Sequence, residues 1–240
     1  MNMIECFGLE SLTEKEESGI ALLNAVCSEG KAIVGYYGYP YFNREYGWAQ
    51  FIVRTKLNEK EKRIEITGLD THLSGITTWD VLLSGMDLQP KDADCLSRRV
   101  VVKRVSDGGG LAIVNLVNAD VLPSFLENDQ LHIQMVGFPE EIHYSKNEEE
   151  YAAAQPETED KKKFLLADGT IFPSGLFQNH ALDNPDKDKD HYSDNLMLIR
   201  GTVKEISPGR VVLGGKEFTP FLCAVINTEF GDLEIVHTLA

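Results

Sequence analysis

The sequence predicts a mainly β, antiparallel protein with an N-terminal helix and a helix and loop insertion. Three observations carry this reading. Short apolar runs with period-two alternation recur from residue 31 to the C-terminus, Asn, Gly, Asp and Pro clusters separate them, and twenty glycines with nine prolines in 240 residues favour turns over long helices. At 42% hydrophobic and 25% charged, the composition is that of a globular chain and excludes collagen, coiled-coil and disulfide mini-protein classes.

The opening segment, 1–30, reads as one helix. Thr13 and Glu16 have capping-box spacing, Ile20, Leu22, Leu23 and Val26 follow at roughly helical intervals, and Gly30 offers a stop, with Gly19 working against the helix. From residue 31 the pattern changes to strands, expected at 32–39, 48–56, 63–69 and 78–83, with 57–62 as a polar hairpin tip. A hairpin follows, 99–105 against 111–117 around Asp107-Gly108-Gly109-Gly110, and then a strand in which Leu131, Ile133 and Met135 share one face. These make a β-rich unit at 31–139. An acidic insertion spans 140–194, with a short helix at 148–154 followed by polar linkers. Strands resume in the C-terminal segment 195–240 at 196–206, 211–213, 218–227 and 233–237, with turns at Pro208-Gly209 and Phe230-Gly231-Asp232.

Two stretches share a form: Asp129 to Gly137 and Asp194 to Gly201 each run polar turn, alternating strand, glycine. That form is similar to the strands of OB-type small barrels, where a curved strand needs glycine to close. The resemblance implies one large or two small OB-like barrels, the second built from the C-terminal segment.

Charge is unevenly placed. The net charge is −15, of which −5 lies in 1–30 and −8 in 140–194, so the β-rich unit is nearly neutral. An acidic chain is a poor partner for nucleic acid, whose binders neutralise phosphates with Lys and Arg, and for acidic membrane surfaces. Cys6, Cys27, Cys95 and Cys223 show no metal or redox spacing, as expected of free thiols in a reducing compartment. With glutamates where a signal peptide would be apolar and no run of about 18 apolar residues, the chain is expected to be cytoplasmic.

Five groups of residues stand out as candidate sites. Eight aromatics fall between Tyr36 and Phe51, and Tyr37, Tyr39, Tyr41 and Trp48 are the partner-binding candidates, because aromatics with polar tips are enriched at contact surfaces. Arg98, Arg99, Lys103 and Arg104 are the notable basic concentration and would line a single-strand groove on an OB-like barrel. Asp186, Asp188 and Asp190 have the spacing of oxygen ligands to Ca²⁺, but His191 stands where a calcium loop needs glycine and Met197 where it needs glutamate, so no metal is expected. Asp70, His72 and Ser74 could form an acid, base and nucleophile set in a hydrolase, without the strand-turn-helix context of a nucleophile elbow. Gly108 to Gly110 lacks the Lys-Ser/Thr of a phosphate loop. The expectation is therefore a non-catalytic intracellular interaction module without a cofactor that recognises a protein partner, basic in character, in the manner of an inhibitor or immunity protein. Single-strand nucleic-acid binding and hydrolysis stand as alternatives.

Overall fold

The computed structural model describes residues 4–9, 12, 16–35, 40–86, 98–119, 127–155, 165–173, 197–213, 215–218 and 220–238. Helix α1 is Glu16–Glu29, and it ends where the Gly30 N–H donates to Val26 O at 2.8 Å. A Cβ at Gly30 would collide with that carbonyl, so the stop requires glycine. Leu22 and Val26 are buried on one face of α1, while Thr13 lies outside the described residues.

Strands β1 Lys31–Val34, β2 Pro40–Tyr46, β3 Ala49–Asn58 and β4 Arg63–Leu73 form an antiparallel meander in chain order. The β2 strand differs from the expectation of a strand over 32–39: the aromatic stretch after Pro40 is itself a strand, folded back on β1. The expected 57–62 tip is shorter, since Leu57 and Asn58 end β3 and the turn is 59–62, where Asn58 Oδ1 accepts from the amides of Lys60 and Glu61 at 3.1 Å each. Period-two alternation sends Ala49, Phe51, Val53 and Leu73 to one face, where they pack with Phe7, Leu9, Leu22 and Val26.

Strands β5 Thr78–Met86, β6 Arg98–Arg104, β7 Ala112–Leu116 and β8 Gln130–Gln134 build a second antiparallel sheet in the order β7-β6-β5-β8. The β6–β7 hairpin falls where the sequence places it. After it come β9 Val136–Gly137, helix α2 Glu148–Ala154, the small ladder of β10 Ile171–Phe172 with β11 Leu198–Ile199, β12 Val203–Gly209, the small ladder of β13 Val212–Leu213 with β14 Lys216–Glu217, β15 Phe221–Thr228 and β16 Gly231–Thr238. The third four-stranded sheet runs β12-β15-β16-β9, with β9 parallel to β16.

The mainly β, antiparallel class is thus observed, with two α-helices among the described residues. The β15–β16 hairpin is the middle layer. Ala224, Leu233 and Ile235 pack with Trp79, Val81, Val100 and Val102 of the second sheet, while Phe221, Cys223 and Val236 pack with Phe7, Phe51 and Val53 on the first-sheet side. Burial on both faces raises the Cys223 thiol to about 12, with Glu234 and Glu205 adding to the effect, so it stays protonated at neutral pH.

Two expectations for this segment are corrected. Pro208 and Gly209 do not turn the chain but end strand β12, paired with Leu222 and Phe221. Proline is tolerated because β12 is an edge strand, and a Cβ at Gly209 would collide with the Phe221 ring. Of the expected strand over 196–206, the described part is two strands interrupted at 200–202, where Gly201 lies against the Asn227 carbonyl with no room for a Cβ. The two similar stretches are consequently not equivalent: 129–137 contributes β8 and β9 to different sheets, and 194–201 contributes only β11 among the described residues.

Residues 74–77 cross from the first sheet to the second over the middle layer, and one side chain holds them. Glu234, 5% exposed, accepts from the amides of Ile76 at 3.0 Å and Thr77 at 3.1 Å, with Thr77 Oγ1 at 2.9 Å. Gly75 gives the carboxylate room, since a Cβ there would overlap it. Gln134 Nε2 donates to Leu73 O at 2.7 Å, and the Met135 amide donates to Thr77 O at 3.3 Å, closing the crossover against β8.

Candidate functional site

The aromatic region divides between interior and surface. Tyr41 is 2% exposed and packs with Ile52, Ile33 and Val117 on the second face of the first sheet. It is therefore inaccessible to a partner in the folded chain. Trp48, at the β2–β3 turn, is 40% exposed, with its ring edge-on to Phe221 at 6.4 Å. Tyr37 and Tyr39 lie outside the described residues.

Register places Tyr41, Asn43, Arg54, Asp70 and His72 on that same second face. Arg54 lies over Gly68, where a Cβ would strike the guanidinium, and pairs with Asp70 at 2.8 Å. Burial nevertheless raises the Asp70 carboxyl, with Arg54 opposing. Burial lowers His72 to about 4, so it is a neutral imidazole at physiological pH. The Tyr41 hydroxyl and Asn43 Oδ1 are buried without hydrogen-bond partners among the described residues. The hydrolase set is not assembled: Asp70 turns to Arg54, Ser74 Oγ donates to Glu45 at 3.3 Å, and Thr71 faces the opposite side of β4. With Asp70 engaged by Arg54, Ser74 by Glu45, and His72 lowered to about 4, the hydrogen-bonded relay of a triad is not formed among the described residues.

The basic group is similarly diverted. The Arg104 guanidinium contacts Asp107 at 2.9 Å and Glu229 at 3.2 Å, which compensate its charge. Lys103 is half-buried, and Arg98 and Arg99 pair with Leu116 and Asn115 in the β6–β7 ladder, their side chains outside the described set. Beside Arg104 is an open cleft of about 370 Å³ that also involves Asp80, Gln130, Glu229 and Phe230. Among the described residues no cluster of His, Cys, Asp or Glu is placed to hold a metal, and Asp186, Asp188 and Asp190 lie outside them. No described helix is long and apolar enough to cross a membrane.

Among the described residues the longest run of exposed positions is the segment 140–150, in which every residue is exposed. It carries Glu140, Glu141, Glu148, Glu149 and Glu150 against Lys146, with Ile142 and Tyr144 exposed between them. Despite its exposure it is held at its middle by Tyr144 and at its helical end through α2. Tyr144 Oη donates to His237 Nε2 at 2.8 Å, and His237 Nδ1 lies 2.9 Å from Thr238 O, which sets that tautomer. Asn147 caps α2 by accepting from the Glu150 amide at 2.9 Å, and Glu150 accepts in return from the Lys146 amide at 2.9 Å. Arg200 contacts Glu148 and Leu166 O and stacks over Tyr151 at 3.9 Å. A seven-residue helix is marginal alone, and these contacts supply what its length cannot. The sequence marks the acidic stretch and the helix but gives no signal of the Tyr144 to His237 link, which spans 93 residues.

No protein-family model, curated protein or solved structure matches the chain.

Proposed function

We propose that the chain is a non-catalytic, intracellular interaction module that recognises a basic protein partner through the segment 140–150. The observation supporting this is an acidic strip that is exposed along its whole length yet pinned by Tyr144 to His237 and by Arg200 to Glu148. Pre-fixing a contact segment reduces the ordering cost of association, and the −15 net charge speeds encounter with a cation-rich surface. Ile142 and Tyr144 supply apolar contact within the charged rim. Inhibitor or immunity function is the form this reading takes if the partner is a basic toxin. Single-strand nucleic-acid binding through an OB-like barrel is the weaker reading, because Arg104 is neutralised by Asp107 and Glu229.

Affinity capture from the source cells at low salt tests this, comparing the wild type with a Glu140→Lys, Glu141→Lys, Glu149→Lys variant. The wild type is expected to retain a stoichiometric basic protein that elutes at high salt, and the variant to lose it. Equal retention by both removes the strip from the contact.

A further inference from the structure

The far end of the first sheet presents a second surface. Cross-strand pairing sets Leu57 opposite Ile64 and Thr55 opposite Ile66, so the three large apolar side chains share one face of the β3–β4 hairpin. Leu57 is 46% exposed, Ile64 56% and Ile66 44%. β4 is also the outer strand of its sheet among the described residues, so its outward backbone groups form an open edge. Beyond Ile66 the ladder shifts register between Arg54 and Thr55, leaving Thr67 as a bulge residue that breaks the regular edge before pairing resumes at Gly68. The regular stretch of edge on the hairpin side of that bulge is thus short and centred near Ile64.

We infer that this edge pairs with the same edge of a second copy, giving a two-fold dimer through antiparallel β4 strands centred on Ile64. Strand parity restricts the possible registers, because paired residues must lie on the same face. Centring on Glu65 would set glutamate against glutamate, and centring on Ile66 would leave Glu65 opposite Thr67 with no charge partner. Centring on Ile64 sets Arg63 against Glu65 of the second copy, twice by symmetry, and brings the two Ile64 side chains together. Leu57 and Ile64 of both copies then make one continuous apolar row across the joined sheets. Within one chain, Arg63 pairs with Glu61 at 2.8 Å and Glu65 at 3.1 Å, and these exposed contacts exchange at little cost.

Charge selects the second copy over another occupant. The hairpin 56–66 holds Lys56, Lys60, Lys62 and Arg63 with Glu59, Glu61 and Glu65, a mixed-sign island on a chain of −15. It offers a basic partner less than the 140–150 strip does, and it complements itself.

Sedimentation velocity of the full chain from roughly 1 μM to roughly 1 mM, the span of weak specific association, tests the inference. The wild type is expected to shift from monomer to dimer with concentration. Glu65→Arg sets arginine against arginine and weakens the dimer at least about tenfold, and Arg63→Glu with Glu65→Arg restores it. A monomer at every concentration overturns the inference. So does a dimer that Glu65→Arg leaves unchanged, or one that the paired exchange fails to restore while both variants melt like the wild type.

Discussion

Glu234→Ala is expected to destabilise the fold by about 3 kcal/mol or more, measured as a shift of the urea midpoint at constant slope. The carboxylate accepts from two backbone amides of the 74–77 crossover and from the Thr77 hydroxyl, in a site 5% exposed. Removing it leaves the buried Thr77 amide and hydroxyl unpaired at ~1–3 kcal/mol each, with a smaller loss at the part-buried Ile76 amide. Glu234→Gln keeps one acceptor oxygen and loses only the charge assistance, so it is expected to cost roughly half as much. The order matters as much as the size: a loss below about 0.5 kcal/mol for the alanine variant would mean that the crossover is held by its other contacts, Leu73 to Gln134 and Thr77 to Met135.

Acid is expected to weaken the protein through His72. Its folded-state value of about 4 lies below the ordinary 6.5, so between those pH values the unfolded chain binds a proton that the folded chain does not. Stability from this group is complete above about 6.5, falls as pH is lowered, and is lost below about 4. The interval corresponds to on the order of 3 kcal/mol at ~1.4 kcal/mol per pH unit. Asp70 works the other way: burial raises its carboxyl, with Arg54 opposing, so its protonation as pH falls favours the folded chain. Unfolding curves of the wild type and His72→Gln between pH 7.5 and 4 should therefore diverge, with the variant losing much less. Parallel curves would show that His72 titrates in the folded chain as it does in the unfolded one.

Local structure was legible in the sequence where it depends on neighbours. The α2 helix falls at the expected residues, and the β6–β7 hairpin and the β3–β4 tip fall within two residues of theirs, because capping, alternation and turn chemistry are short-range. Sheet membership was not legible. The run Phe221-Leu222-Cys223-Ala224-Val225-Ile226 reads as a strand, and its near-continuous apolarity is the signal of burial on both faces, which alternation in Leu233 to His237 obscures. By alternation Glu234, between Leu233 and Ile235, takes the outward-facing polar position of a one-sided strand, while His237 falls on the opposite face at the strand end. In a middle layer there is no outward face, and each is buried against a partner from a distant segment. The site was legible in part for the same reason. The acidity of 140–150 is a property of composition, whereas its attachment through Tyr144 and Arg200 and the burial of Tyr41 are properties of packing.

The proposal that 140–150 is the contact segment is tested most directly by amide hydrogen exchange of the full chain, with and without the basic protein that it captures. The account predicts slowed exchange concentrated in 140–150 and extending into α2. Slowing confined to the β3–β4 tip or to the β6–β7 hairpin, with 140–150 unchanged, would contradict it and move the contact to the other surface.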